Sequence, residues 1–267
     1  MAFLPPHLWL TALLAVSACV AAAAQRPSIE DFTMSGDTYR TEDDCFRLTE
    51  EEDYSSGSIW YRHPISLSAP FSIELSILAG CKDGDGADGM VFVFTTQANR
   101  VGYRGEGIGF GGLQPSIGIE VDTWLNYHLN DPREDHVAIM ANGQVGHYND
   151  LAGPVAIPNI EDCRRHQLAI RWDPATQRLS VEIDKQEVIA AQADLINAIF
   201  QGNDVVYWGV TAATGRYNNF HEVCFDRLSM APPVKGKWWL PVEMPEELWV
   251  EEEGSRGGNE WKSGRYW

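Results

Sequence analysis

Apolar and polar residues alternate with a period of two along most of the chain between about residues 28 and 230. One such run places Phe71, Ile73, Leu75 and Ile77 on a single face, as a half-buried antiparallel strand requires. The alternation recurs at Ile117, Ile119 and Val121; at Val137 and Ile139; at Leu168, Ile170 and Trp172; and at Leu179, Val181 and Ile183. The segment Trp172 to Thr176 is typical of a hairpin turn, and only Ala191 to Phe200 has a helical pattern. Many closely spaced strands without alternating helices predict an all-β fold, a jelly-roll sandwich of two antiparallel sheets.

The two ends of the chain differ in composition from this β-patterned body. Leu10 to Val20 is apolar and is followed by small alanines before Gln25, which predicts a secretory signal peptide over residues 1–24. The domain is then expected over residues 25–230. Residues 26–53, with ten acidic and three basic side chains, are expected to form a solvated loop. Residues 231–267 are predicted to be a weakly ordered acidic tail rich in tryptophan, with Trp238, Trp239, Trp249, Trp261 and Trp267.

The signal peptide leaves two final locations open. The run from Val16 to Cys19 resembles a lipoprotein box, in which a lipid on Cys19 would hold the protein on a membrane. The alternative is an ordinary cysteine that is lost together with the signal peptide. We therefore expect a protein that is secreted, or one that is retained at the cell surface or in the periplasm.

The charge balance excludes one class of partner. The 267 residues include 38 acidic and 20 basic side chains, for a formal net charge of −18. Proteins that bind nucleic acid neutralise phosphates with a clustered basic face, and this sequence contains no such cluster. No second long apolar run follows the N-terminal one, so a polytopic membrane protein is excluded as well.

Four cysteines remain once Cys19 is set aside with the signal peptide, and an even number in an exported chain predicts two disulfides. Four cysteines allow three connectivities. If the first and last strands of the domain lie side by side, the favoured pairing is Cys45 with Cys224 and Cys81 with Cys163.

The segment that follows Ile117 carries the candidate chemistry. On a strand, residues two apart share a face, so Ile117, Ile119 and Val121 should enter the core. The opposite side of the strand should then carry Glu120, Asp122, Trp124 and Asn126, and the following loop should add Asp131 and His136. Carboxylates and carbonyls suit Ca²⁺, whereas carboxylates with one imidazole suit Mn²⁺ or a similar transition ion.

The three carboxylates of this segment would repel one another if they were crowded together without cations. Two divalent ions would change a local charge of −3 to +1 and remove that repulsion. The alternative from these residues alone is a polar strand edge beside a solvated acidic loop.

This order of residues resembles the metal loop of legume-type (L-type) lectins, in the longer-loop variant of concanavalin A. Two further stretches match the family in the right order: Ala87-Asp88-Gly89 before the strand Met90 to Phe94, and Trp208 to Gly215 near the end of the domain. The resemblance covers about residues 28–230 and implies a concanavalin A-like fold. The chain resembles the lectin-like domains of exported bacterial surface proteins even more closely. This resemblance is carried by the cysteine-containing stretches at residues 80–83, 161–163 and 223–224.

The resemblance implies a role for each matching residue. Glu120, Asp122, Asp131 and His136 would hold the transition metal, Mn²⁺ or a similar ion. Asp122, the carbonyl of Trp124, Asn126 and Asp131 would hold Ca²⁺. Asp88, after a cis bond from Ala87, would accept hydrogen bonds from two sugar hydroxyls.

Further contacts to a glycan are expected from residues on three loops. Asn126 would donate a hydrogen bond, the Trp124 ring would stack on the sugar and Gly105 would offer a backbone N–H. Gly215 and Arg216 stand at the start of a loop that varies with sugar preference in the family. A homo-oligomer or clustering on a membrane would supply the multivalency that weak single-sugar affinity requires.

Two functions other than a lectin are compatible with a jelly-roll fold. A glycoside hydrolase on the same scaffold needs a pair of carboxyls across the scissile bond, but Trp124 and Leu125 stand where its acid would be. A structural adhesion module without a sugar site is the other alternative. The remaining histidines, among them His128, His147, His166 and His221, have no spacing that assigns them a role. The sequence therefore predicts an exported, metal-dependent, non-catalytic carbohydrate-binding protein.

Overall fold

A computed structural model of the chain describes residues 26–230. The predicted signal peptide, the candidate lipid-anchor residue Cys19 and the predicted tail lie outside the described residues. Among the residues described, no helix is both long and apolar enough to span a membrane.

The described part of the chain is built almost entirely from strands. In chain order these are β1 (Phe32–Gly36), β2 (Tyr39–Arg40), β3 (Phe46–Thr49), β4 (Ser56–Tyr61), β5 (Ile65–Ser66), β6 (Phe71–Leu78), β7 (Gly89–Thr95), β8 (Ser116–Asp122), β9 (His136–Ala141), β10 (Ala152–Ala156), β11 (His166–Asp173), β12 (Arg178–Ile183), β13 (Gln186–Gln192), β14 (Val205–Ala213) and β15 (His221–Met230). One short α-helix, α1 (Leu195–Ala198), lies between β13 and β14.

The strands form two antiparallel sheets. The first has the order β1-β4-β14-β7-β8-β9-β10, with β5 added beside β14. The second has the order β13-β12-β11-β6-β15-β3-β2. The strands predicted from period-two alternation are β6, β8, β9, β11 and β12, and the predicted hairpin turn joins β11 to β12. The all-β sandwich of two antiparallel sheets is thereby confirmed.

The main core lies between the inner faces of the two sheets. Phe92 and Ile119 of the first sheet and Leu75 and Ile170 of the second belong to this one buried cluster. A smaller cluster covers the opposite face of the first sheet, where Phe110 packs among residues of β4, β7 and β9. Both faces of the first sheet are therefore covered at β8, and all seven residues of β8 are buried. Polar side chains on this strand are removed from water along with the apolar ones.

Three local expectations were wrong. The helix is confined to Leu195–Ala198, because residues 186–192 pair with β12 as strand β13. Residues 26–53 contain β1, β2 and β3 rather than a loop, and Phe32, Phe46 and Leu48 bury their side chains there despite the surrounding acidic residues. Strand β8 ends at Asp122, so Trp124 and Asn126 lie in the following loop and not on the strand.

The structure contains the two favoured disulfides. Cys45 bonds to Cys224 and Cys81 bonds to Cys163. The first joins the start of β3 to β15, which are neighbouring strands at the edge of the second sheet. The second joins the loop before β7 to the loop before β11, close to the site described below.

We predict that replacing both Cys45 and Cys224 with serine lowers the free energy of unfolding by ~2–5 kcal/mol, because the bond closes a long loop. The two cysteines are 179 residues apart. Chemical denaturation followed by tryptophan fluorescence would measure the change. An unfolding free energy equal to that of the wild type would contradict the prediction.

Candidate functional site

The pairing of three neighbouring strands brings the candidate residues to one edge of the first sheet. Strand β8 lies between β7 and β9, and Asp122 at its end stands opposite Gly89 on one side and His136 on the other. The start of β7, the end of β8 and the start of β9 therefore meet at the same place. Glu120 stands one pleat further in on the same face of β8 as Asp122.

Three carboxyl groups from this edge are close together and shielded from water. The side chain of Glu120 is 1% exposed, and that of Asp131 is also 1% exposed. Burial raises the pKa of Glu120 to about 8, with His147 opposing the shift and Asp131 adding to it. Burial, followed by the charge of Glu120, raises the pKa of Asp122 well above its ordinary value. Without a cation, the folded protein therefore favours neutral carboxyl groups in this cluster.

The loop after β8 is held in shape by its own carboxylates. The backbone N–H of Trp124 donates to Oδ1 of Asp122 at 2.6 Å, and the N–H of Asn126 donates to Oδ2 of Asp131 at 2.6 Å. A single 3₁₀ turn, Tyr127–Leu129, lies between Asn126 and Asp131. One oxygen of each aspartate thus fixes the backbone, which leaves other oxygens of the loop available to a ligand.

His136 is oriented as a neutral electron-pair donor. Its Nδ1 lies 3.4 Å from the backbone carbonyl of Glu134, which places the hydrogen on Nδ1 and the lone pair on Nε2. Burial, and then the neighbouring His147, lowers the pKa of His136 to about 4. A buried imidazole whose other nitrogen is held by a carbonyl is the usual arrangement of a metal-ligating histidine.

His147, to which the sequence assigned no role, also belongs to this cluster. Its Nε2 lies 3.2 Å from Nε2 of His136, 3.3 Å from Oε2 of Glu120 and 3.4 Å from Oδ1 of Asp131. Its Nδ1 lies 2.8 Å from Oδ2 of Asp150. Burial lowers the pKa of His147, but the hydrogen bond with Asp150 and the neighbouring carboxylate charges outweigh it, so the pKa is raised. No local sequence pattern marks this residue, because His147 reaches the site on a separate loop.

Several oxygen atoms at this edge are buried without a hydrogen-bond partner in the described structure. They are Oε2 of Glu120, Oδ1 of Asn126, Oδ1 of Asp131 and Oδ2 of Asp88. Unpaired buried oxygens are costly, and a pair of cations would satisfy the first three. The ligand atoms of Asp122, Asp131 and His136 also lie within 4.8 Å of one another, as do those of Glu120, His136 and His147. The residues present therefore fit divalent cations. The ligand atoms in the loop are mostly oxygens, and those beside the histidines are a mixture of oxygens and nitrogens.

Asp88 stands next to this cluster, at the start of β7. The peptide bond before it, from Ala87, is cis, as the resemblance implied. Its backbone carbonyl accepts hydrogen bonds from the N–H and the hydroxyl of Thr123, at 3.0 and 3.2 Å. Burial, with a smaller contribution from Glu106, raises the pKa of the Asp88 carboxyl to about 7, and a backbone hydrogen bond from Gly215 opposes the shift. The two hydrogen bonds from Thr123 connect Asp88 to the loop that carries Asp122 and Trp124.

The loop before Asp88 is fixed from behind by the buried residue Asn219. The side-chain oxygen of Asn219 accepts a hydrogen bond from the N–H of Cys81 at 3.1 Å, and its backbone N–H donates to the carbonyl of Ala87 at 2.9 Å. Its amide group donates to Oε1 of Glu161 at 2.7 Å. Burial raises the pKa of Glu161 to about 8, and its hydrogen bonds to Asn219 and Thr123 oppose the shift.

Two glycines lie beside the buried carboxylate of Asp88, where a side chain would crowd it. A Cβ atom added at Gly215 would lie 3.2 Å from Oδ2 of Asp88, and the Cα of Gly105 is 3.5 Å from the same added atom. The backbone N–H of Gly105, expected to point to a sugar, instead donates to the carbonyl of Thr214 at 3.1 Å. Gly105 thus borders the site by its lack of a side chain. Arg216, the next residue after Gly215, is exposed.

An aromatic pair joins the loop after β8 to the loop after β14. The rings of Trp124 and Tyr217 stack with centroids 4.4 Å apart and planes at 25°. One face of the tryptophan is therefore covered by the tyrosine, and 44% of Tyr217 is exposed. Oε2 of Glu106 lies 2.9 Å from Nε2 of His128. Tyr217 follows Gly215 and Arg216 in the variable loop, and a stack between distant residues leaves no local pattern that would mark it.

Comparison with known proteins places this fold in a family. A family model described as "Legume lectin beta-barrel domain" matches residues 24–227, which is most of the chain. A lectin from Bauhinia forficata, solved in complex with GalNAc, has a TM-score of 0.67 and 17% identity; the match covers 79% of this chain and 99% of that one. At 17% identity, the structural match is evidence for a shared fold only.

Two relatives by sequence are longer proteins. The "L-type lectin-domain containing receptor kinase V.9" of Arabidopsis thaliana is 24% identical over 210 residues, which is 66% of this chain and 30% of the relative. "Pesticidal crystal protein Cry22Aa" of Bacillus thuringiensis is 21% identical over 217 residues, 70% of this chain and again 30% of the relative. On the family match, which extends over most of the residues described, the chain belongs to the L-type (legume) lectin domain family.

Proposed function

We propose that the protein binds carbohydrate without catalysing a reaction, and that divalent cations are required for binding. The observation that carries the proposal is the buried Asp88 carboxylate, which has an unpaired oxygen and is tied by backbone hydrogen bonds to a loop of unpaired carboxylate and amide oxygens. Membership of the L-type lectin family supports the same function. The expected ions are Ca²⁺ and a transition metal.

Sugar recognition would be divided among three kinds of contact. The Asp88 carboxylate accepts hydrogen bonds from two neighbouring hydroxyls, on the side where Gly215 and Gly105 carry no side chain. The side-chain N–H of Asn126 donates a further hydrogen bond. The apolar face of a pyranose packs on the aromatic pair of Trp124 and Tyr217, because a sugar exposes C–H groups on one face and hydroxyls at its rim.

Cations at this edge supply the positive charge that keeps crowded carboxyl groups ionised. Asp122, the Trp124 carbonyl, Asn126 and Asp131 would hold Ca²⁺, and Glu120, Asp122, Asp131 and His136 the transition metal. The backbone of Thr123 then carries the effect to Asp88, since it donates to the Asp88 carbonyl from within the metal loop. The ordered loop also fixes the side chain of Asn126 for its contact with the sugar.

The glycoside hydrolase alternative fits this geometry poorly. A retaining or inverting enzyme needs two carboxyl groups that reach the scissile bond from solvent. Glu120 is buried beneath the loop and faces His147, and Oδ1 of Asp122 holds the backbone of Trp124. Neither carboxyl is free to act as acid or nucleophile on a bound glycan.

Export, a possible lipid anchor on Cys19 and assembly into a homo-oligomer remain part of the proposal. Two disulfides are consistent with an oxidising compartment. The kinship with exported bacterial domains stays a prediction, because a plant receptor kinase and a bacterial crystal protein match at similar identity.

We predict that Asp88→Asn weakens glycan binding by at least about 100-fold, because it removes the negative charge and replaces one of the two accepting oxygens with an NH₂ donor that faces a sugar hydroxyl. A glycan array would first identify a bound sugar, and titration calorimetry would then measure its affinity for both proteins. Asp85→Asn, an exposed position in the same loop, is the matched control and should bind as the wild type does. Equal affinity of Asp88→Asn and the wild type would show that the pocket lies elsewhere.

We predict that chelation with EDTA abolishes glycan binding and that restoring Ca²⁺ together with a transition metal recovers it. The reason is that Asn126 and the loop it belongs to are ordered by the same ligand set. Array binding before chelation, after chelation and after reloading is the measurement. Full binding by protein shown by mass spectrometry to be free of metal would refute the dependence on cations.

Chelated protein should lose stability as the pH rises from about 6.5 to about 8. Glu120 and Glu161 have a pKa of about 8 in the folded chain against an ordinary value of 4.5, so in this window the folded state keeps protons that the unfolded state has released. That advantage disappears as the pH passes the folded pKa. Below about pH 6.5 the buried imidazoles of His136 and His221, whose pKa values are lowered to about 4 and about 3, act in the opposite direction. Thermal unfolding at several pH values would show the slope, and Glu161→Gln should make it shallower. A stability that rises steadily over this range would contradict the prediction.

A further inference from the structure

His147 reaches the metal edge on a loop that is fastened to the metal loop. The backbone N–H of His147 donates to the carbonyl of Leu129 at 2.9 Å, and the hydroxyl of Tyr148 donates to the carbonyl of His128 at 2.8 Å. The His147 side chain is 1% exposed. The loop after β9 therefore holds the imidazole in a defined, water-shielded position beside the residues that the resemblance assigns to the metal.

The hydrogen bond to Asp150 determines which nitrogen of His147 faces the cluster. With Oδ2 of Asp150 at 2.8 Å from Nδ1, the hydrogen of a neutral ring lies on Nδ1 and the lone pair on Nε2. Nε2 of His136 carries a lone pair for the same reason, given the Glu134 carbonyl beside its Nδ1. The two lone pairs face each other at 3.2 Å, with carboxylate oxygens around them. Such an arrangement of acceptors needs either protons or a cation between them, and one cation can replace several protons.

The spacing of these atoms matches the spacing of ligands around one ion. Metal–nitrogen and metal–oxygen bonds of roughly 2.1 Å place neighbouring ligand atoms about 3.0 Å apart in octahedral and about 3.4 Å apart in tetrahedral coordination. Nε2 of His147 lies 3.2, 3.3 and 3.4 Å from the ligand atoms of His136, Glu120 and Asp131. Nε2 of His136 lies 3.9 Å from Oε2 of Glu120.

We propose that His147 is a direct ligand of the transition metal, and that this second imidazole makes the site prefer Zn²⁺ over Mn²⁺. The resemblance supplies one histidine and three carboxylates at this position, a set that suits Mn²⁺. A second imidazole shifts preference away from Mn²⁺, which suits carboxylate and water ligands, toward later ions such as Zn²⁺, which suit imidazole. The inference rests on the proposed metal dependence but concerns only which residues hold the transition ion and which ion it is.

Asp150 is a positioning residue in this arrangement. A carboxylate on the far nitrogen of a ligating histidine fixes the ring and increases its basicity, and loss of such a partner costs about 10- to 100-fold in metal affinity. The side chain of Asp150 is 5% exposed, so water does not readily replace it as the partner of Nδ1.

The test is a metal competition on the full chain. Chelated protein with excess Ca²⁺ is dialysed against equimolar Mn²⁺ and Zn²⁺, and bound metal is measured by mass spectrometry. We expect about one Zn²⁺ and little Mn²⁺ in the wild type, and a shift toward Mn²⁺ in His147→Gln with at least about a 100-fold loss of Zn²⁺ affinity by chelator competition. Asp150→Asn should lose about 10- to 100-fold.

His166→Gln is the matched control, because His166 is a buried histidine whose Nδ1 is also 2.8 Å from an aspartate, Asp184, but it lies away from the cluster. It should bind Zn²⁺ as the wild type does. Electron paramagnetic resonance of Cu²⁺-loaded protein gives a readout that folding defects do not mimic: two coupled nitrogens in the wild type and one in His147→Gln.

Unchanged Zn²⁺ affinity and an unchanged Cu²⁺ spectrum in His147→Gln would overturn the inference and leave His147 as an ion-pair partner of Glu120. A wild type that takes up Mn²⁺ in preference to Zn²⁺ would overturn the assigned ion. Neither result would contradict the proposed function. The proposed function is contradicted by a different result, glycan binding that persists in metal-free wild-type protein.

Discussion

The crowding of carboxyl groups at the end of β8 is the constraint on which the site depends. Glu120 and Asp122 are buried because both faces of the first sheet are covered at this strand, and the loop then brings Asp131 back onto them. Three like charges in a water-poor place are unstable together unless protons or cations neutralise them. In their neutral forms His136 and His147 turn lone pairs toward these carboxylates, so a cation can take the place of the protons.

The same backbone that carries the carboxylates also carries the proposed recognition groups. Thr123 lies between Asp122 and Trp124, and its N–H holds the carbonyl of Asp88. Behind Asp88, Asn219 and Glu161 fix the preceding loop through buried hydrogen bonds, independently of any ion. The site thus has a rigid half, built by the protein alone, and a half whose shape depends on charge neutralisation. A shallow sugar site gains from this division, because pre-organised groups lose little freedom on binding.

The sequence predicts those parts of the molecule that follow from local patterns. Period-two alternation identifies β8 and places Glu120 and Asp122 on one face, and the order of polar residues after it indicates the metal loop. Contacts between distant segments leave no such pattern. His147 reaches the cluster because its backbone N–H donates to the carbonyl of Leu129. Tyr217 stacks on Trp124 from the loop between β14 and β15. The N–H of Gly105 donates to the carbonyl of Thr214. The strand content of residues 26–53 was hidden for a related reason, since acidic residues there flank a few buried aromatic ones.

The most direct test of the central claim is anomalous diffraction from crystals grown with Ca²⁺ and Zn²⁺. The account predicts two peaks at this edge of the first sheet. One would lie between Nε2 of His136 and Nε2 of His147, and the other beside the Trp124 carbonyl and Oδ1 of Asn126. Well-ordered crystals in which neither peak is present, with the carboxyl groups hydrogen-bonded to one another instead, would contradict it.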